Sequence, residues 1–117
     1  MSVFMTAYRR RTASFDVTIT EADGTAVVLT VGDAIRLKIG RAGSVPLLDL
    51  TSDAPSANGS TLTAANPTRL YLTQADATAS PGVYDVEVSV VDASDGKIKH
   101  ADSGVFALHE TPLGGVD

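Results

Sequence analysis

A chain of 117 residues fits one domain, and at that length folding buries about two thirds of the unfolded surface around a single core. No cysteine is present, which excludes a disulfide framework, a thiolate zinc site and a cysteine nucleophile; aromatics at 5% with no tryptophan leave the core to Val, Leu, Ile and Ala and argue against a sugar-binding platform. The net charge of -5, from 14 acidic against 9 basic residues, argues against a basic field for nucleic acid.

Met1 to Thr12 reads apart from the rest. Val3, Phe4, Met5 and Tyr8 are apolar, Arg9-Arg10-Arg11 follow, and no clean period holds. The segment 1–12 is expected to be an arm that docks on a neighbouring subunit, with Val3, Phe4, Met5, Tyr8, Arg9, Arg10 and Arg11 as assembly contacts; an extra edge strand or a disordered terminus are the alternatives. The three arginines could touch phosphates, but charges at a terminus more often form a solvated or partner-facing arm. Thr12 to Asp16 lacks the apolar run of a secretion signal, and no run approaches the ~18 apolar residues of a membrane helix. A soluble chain suited to a reducing cytosol is the expectation.

Period-two alternation then recurs. Phe15, Val17 and Ile19 alternate with Asp16, Thr18 and Thr20, and Asp23-Gly24 favours the positive φ angles of a tight turn. Thr25 to Val31 is nearly continuous in apolar residues, which predicts a strand covered on both faces or a bulged one. Gly32-Asp33 breaks it. Ile35, Leu37 and Ile39 alternate with Arg36 and Lys38, and Leu48 and Leu50 flank Asp49. Ser52 to Ser60 is loop by composition, Leu62 sits in a weak strand, Asn66-Pro67 turns the chain, and Arg69 and Tyr71 face away from Leu70 and Leu72.

Thr73 to Ala79 is the one helical candidate, a turn or two with Thr73 as cap and Asp76 near its N-terminus. Pro81-Gly82 then launches the longest alternation, with Tyr84, Val86, Val88 and Val90 on one side and Asp85, Glu87 and Ser89 on the other. Ala93 to Gly96 is a hairpin turn, Lys97 to Ala101 the return strand, and Gly104 to Leu108 the last. Eight or nine short strands between Gly, Pro, Asn and Asp turns make an all-β chain. An antiparallel β-sandwich with one short helical turn is expected over 13–110, with a barrel as runner-up and a loose tail at 111–117. Arg36 and Lys38 would pair with Asp85 and Glu87 if those strands are neighbours.

No segment supplies a catalytic constellation. Asp92, Asp95 and Asp102 with His100 depart from the calcium-loop spacing, and an Asp before Gly is explained by turn geometry. His100 and His109 lack a third zinc ligand at suitable spacing. Ser103, His100 and Asp102 are the residue types of a hydrolase triad, yet neighbours on one strand project to alternate faces and do not converge. Asn58-Gly59-Ser60 matches a glycosylation acceptor but reads as a turn. No catalytic residue, cofactor or metal is expected.

The order of signals resembles a known group. Gly32-Asp33-Ala34-Ile35-Arg36-Leu37, Leu47 to Thr51, Leu70-Tyr71-Leu72-Thr73, a short turn, Pro81 to Val88 and Gly104-Val105-Phe106-Ala107-Leu108 resemble small phage and prophage structural proteins, and through them the immunoglobulin-like N-terminal domain of the tailed-phage baseplate upper protein. The resemblance covers about Ser14 to Glu110. It implies an immunoglobulin-like sandwich and a non-catalytic virion component of tail or baseplate, assembled in the bacterial cytoplasm. Its partners would be other virion structural proteins, with a homo-oligomer expected and neither nucleic acid nor membrane. The baseplate protein's long C-terminal helical region has no counterpart here, so attachment through it is not carried over. A surface adhesion or ligand-binding module using the Ser52 to Asn66 loop is the alternative, and a small hydrolase a third.

Overall fold

A strand that turns Tyr84, Val86, Val88 and Val90 to one side must be flanked on both edges if its backbone groups are to be satisfied inside the protein. The computed structural model, which describes residues 2–111, shows those flanking strands. Among the described residues there are eight: β1 (Ser2–Tyr8), β2 (Ala13–Val17), β3 (Ala34–Gly40), β4 (Leu48–Thr51), β5 (Thr61–Leu62), β6 (Thr68–Leu72), β7 (Gly82–Val91) and β8 (Ile98–His109). They make two sheets, one in the order β1-β8-β7-β3-β4 and the other β2-β6-β5. Every paired neighbour is antiparallel except β1 against β8, which is parallel.

The core lies between the sheets. Leu37, Ile39, Val86, Val88, Phe106 and Leu108 come from the larger sheet and Val17, Leu62, Leu70 and Leu72 from the smaller, all buried. Phe15 of β2 meets Phe106 of β8 edge to face across the gap, with ring centroids 6.4 Å apart. Outward residues of β6 and β7 are exposed as the alternation requires, apart from Ser89, which is 1% exposed, and Val91 at the end of β7, which is half-buried. The small side chain of Ser89 lies on the central strand between the register positions of Arg36 and Ala101.

Several elements differ from the sequence expectation. Thr25 to Val31 forms no strand; a single bridge, Thr20 to Ala26, ties it back across the Glu21-Gly24 turn, and it joins neither sheet. Only Val27 and Leu29 reach the core, while Val28 and Val31 stay exposed, because the Thr30-Asp33 turn with Gly32 at φ 90° curls the segment away from any partner. The two strands expected over Lys97 to Leu108 are one. Asp102-Ser103-Gly104 looks like a break, yet all three residues pair with β7 at Val88, Glu87 and Val86. Thr73 to Ala79 is a pair of overlapping turns, Asp76 N to Thr73 O and Ala77 N to Gln74 O, rather than a helix. Pro81 soon after leaves no room to propagate it.

The N-terminal segment is part of the sheet. Ser2–Tyr8 runs alongside β8, and Met5 and Ala7 are 2% and 3% exposed in the chain's own core. At the other end, Thr111 is buried rather than loose; the remainder of the expected tail, 112–117, lies outside the described residues.

Candidate functional site

The residues named as assembly contacts separate into three groups. Met5 packs inward, Tyr8 and Arg11 face solvent, and Arg9 and Arg10 clasp Glu110 just beyond β8. The side chains of Val3 and Phe4 lie outside those described. Arg10, at φ 61°, turns the chain out of β1 so that its N–H reaches Ala77 O at 2.7 Å. Arg9 Nη1 and Arg10 Nη2 then grip the two carboxylate oxygens of Glu110 at 3.3 and 3.4 Å, and Arg9 Nε donates to Thr78 O at 3.3 Å. Thr111 Oγ1 donates to Arg9 O, and the Tyr8 ring lies 5.8 Å from that of His109. The arginine run thus ties β1, the 73–79 turn and the end of β8 together.

His100 and Asp102, candidates for a triad or a metal, share the inward face of β8 and hold a backbone instead. The ring Nε2 of His100 donates to Thr20 O at 2.7 Å and Asp102 Oδ2 accepts Thr20 N–H at 3.1 Å, so both groups of one peptide-chain residue are satisfied where the smaller sheet has ended. Ser103 points outward and does not join them. Asp92 caps its own turn by accepting Ser94 N–H and Oγ–H, and Asp95 does the same for Lys97 N–H. Among the described residues no three His, Asp or Glu side chains gather as a metal site.

Three polar clusters escaped the sequence reading. Asn66 inserts its carboxamide between two segments that part beyond β2: Oδ1 accepts Ile19 N–H at 2.9 Å, and Nδ2 donates to Ile19 O at 2.9 Å and Val27 O at 2.7 Å. Asp76 organises the 52–60 loop, accepting Ser56 Oγ–H, Ser60 Oγ–H and Asn58 Nδ2–H. Burial pushes its carboxyl up, and the hydrogen bonds from Ser56, Ser60, Asn58 and Thr73 outweigh that and leave it below the usual carboxylate range. Asp33, its side chain 1% exposed, meets Lys99 Nζ at 2.6 Å and accepts Thr30 and Ala93 N–H. The Lys99 hydrogen bond is the main reason its carboxyl is lowered, and the same bond raises the Lys99 ammonium.

On the outer face of the larger sheet, a hollow of about 350 Å³ sits beside the β3–β4 loop between Lys38, Arg41, Ser44, Asp85, Glu87 and Ser103. Lys38 stands opposite Glu87 in register, as expected of neighbouring strands, while Arg36 pairs with Asp49 across β4 at 2.8 Å. Cations and carboxylates alternate there, so no excess of either sign selects an ion. Next to it Arg41 covers the Tyr84 ring at 4.5 Å.

Two facing sheets with β8 in the larger one joined to β1 in parallel define an immunoglobulin-like β-sandwich, and comparison with solved structures agrees. One of the 11 chains that match is the NK cell receptor Nkp44, described as a triggering partner in natural cytotoxicity; the match covers 92% of this chain and 98% of that one at a TM-score of 0.55 and 11% identity. At that identity the likeness is one of fold. No family model matches the chain, and no curated protein does.

Proposed function

We propose that the chain is a non-catalytic structural protein of a phage or prophage virion, a tail or baseplate component that works through protein–protein assembly. The observation that carries this reading is the ordered run of motifs from Gly32 to Leu108, which lies on β3, β4, β6, β7 and β8 of one sandwich. The polar chemistry is consistent with it. His100, Asp102, Asp33 and Asp76 each hold the chain's own backbone or loops. The test is location: in host cultures induced to release phage, peptide mass spectrometry of purified particles is expected to find the chain at stoichiometric level. Its confinement to the soluble fraction, with particles free of it, would overturn the reading.

A ligand-recognition module is the second reading, favoured by the fold shared with a receptor domain. The Ser52 to Asn66 loop is less suited to that role than its composition suggests, since Ser56, Asn58, Ser60 and Asn66 spend their polar groups within the chain. Glycan or calcium titration of the purified chain separates the two: saturable binding supports recognition, and its absence leaves assembly.

A further inference from the structure

We infer that the open edge of β1 pairs with the β1 edge of a second copy of this chain, antiparallel, joining two larger sheets into one. β1 ends the five-stranded sheet, so among the described residues one of its sides meets no strand. Which residues face that side follows from one bond. Arg9 N–H donates to His109 O at 2.7 Å, and successive residues of a strand turn their N–H and C=O to opposite sides. Met5 and Ala7 therefore bond β8, and Phe4, Thr6 and Tyr8 turn their backbone groups to the open edge. Tyr8 O accordingly accepts Arg11 N–H at 3.2 Å, just beyond the strand end. Thr6 presents a donor and an acceptor at the centre.

The other three edges carry the devices by which sheets avoid joining. β4 has four residues with exposed Asp49 among them, β5 has two residues, and β2 carries Asp16 in an exposed pair with Arg69. β1 has seven residues, SVFMTAY, with no charge, no proline and no bulge. Its sequence carries none of the devices by which the other edges oppose another strand.

A second copy fits this edge by parity and by charge. Alignment about a two-fold axis at Met5 sets Thr6 of each copy opposite Phe4 of the other and keeps core-facing positions beside core-facing ones, as the period of two demands. It also places the two arginine runs at opposite ends. Arg9 of one copy lies about 27 Å along the strand from Arg9 of the other at ~3.4 Å per residue, well beyond a screening length of ~8 Å. A parallel alignment would stack the same arginines at ~4.8 Å. The charge therefore selects the antiparallel arrangement.

This inference rests on the assembly reading in taking a protein surface as the partner, and its test is separate from particle analysis. Sedimentation equilibrium of the full chain over a wide concentration range is expected to show a monomer–dimer equilibrium. Thr6→Pro removes only an outward N–H, which an edge strand tolerates, and Thr6→Lys puts a charge at the centre of the edge. Both variants are expected to stay monomeric over the same range while their circular dichroism keeps the wild-type β signature. A wild-type chain that is monomeric throughout, or a dimer that persists in both variants, overturns the edge pairing. Should Thr6→Pro fail to fold, Thr6→Lys decides alone. If particles contain the chain while the edge test fails, the virion reading stands and only the self-pairing is lost.

Discussion

A single carboxamide does the work of a missing strand at Asn66. Its three hydrogen bonds to Ile19 and Val27 satisfy backbone groups at the point where β2 has ended and the next segment joins neither sheet. An alanine there leaves the buried Ile19 N–H and Val27 O to find water or go without, while Ile19 O keeps the Val27 N–H at 2.9 Å, and each buried group left unpaired costs roughly 1–3 kcal/mol. Asn66→Ala is expected to lower the unfolding free energy by about 2–5 kcal/mol in urea titration, allowing for partial rescue by water. Asn66→Asp is expected to be nearly as costly, because a carboxylate accepts but does not donate and would face both carbonyls with oxygen. A loss below about 0.5 kcal/mol in both, the range of an unremarkable surface change, would show that the carboxamide is dispensable.

At the scale of elements, the strands with strict alternation were legible in the sequence and the segments without it were not. β3, β6 and β7 follow their patterns nearly residue for residue, since burial on one face leaves a signal at every second position. This gives a sharp contrast between neighbours in the larger sheet. Leu37→Ala, at 0% exposure, is expected to cost about 2–5 kcal/mol, whereas Val83→Ala, at 63% exposure, should stay within about 0.5 kcal/mol by the same urea measurement. Equal effects at the two positions would mean that the facing of β3 or β7 is wrong. Thr25 to Val31 misled because hydrophobicity alone does not supply a partner strand, and residues 98–109 because Asp, Ser and Gly read as a break when the ladder on both sides overrides local preference. β1 gave no period since both of its faces carry apolar residues. Its contribution is testable in dilute solution, where any partner is absent: Met5→Ala is expected to cost the monomer about 2–5 kcal/mol, as a buried methionine should. The clusters around Asn66, Asp76 and Asp33 were hidden for a different reason. Each joins positions far apart in the chain, and nothing local marks an Asn or Asp of a turn as one that turns inward.

For the whole molecule, the lowered carboxylates set how stability depends on pH. Asp33, Asp49 and Asp76 all lie below their ordinary value of 3.8, Asp33 and Asp49 chiefly through hydrogen bonds from Lys99 and Arg36, and Asp76 against burial through its loop donors. A group whose carboxyl is harder to protonate when folded binds fewer protons in the native state than in the unfolded one. Its contribution is therefore complete at pH well above 3.8 and is lost as pH falls through its lowered folded value. Lys99 runs the other way, since its raised ammonium contributes below its ordinary 10.5 and loses that contribution as pH rises past it. The urea midpoint of the wild type is thus expected to fall as acid is added below about pH 4, within the ordinary carboxylate range. Asp33→Asn and Lys99→Met should each make that acid limb shallower. The double variant should be shallower by less than the sum of the two single effects, because the substitutions share the Asp33–Lys99 bridge and their effects do not add. An acid limb unchanged in both single variants would place the proton-linked stability in the Asp76 loop and the exposed pairs instead of in the Asp33–Lys99 bridge. That bridge links the 30–33 turn to β8, so its loss in acid is expected to release that end of the sandwich first, seen as earlier hydrogen exchange at Ala93 and Thr30 than at Val88.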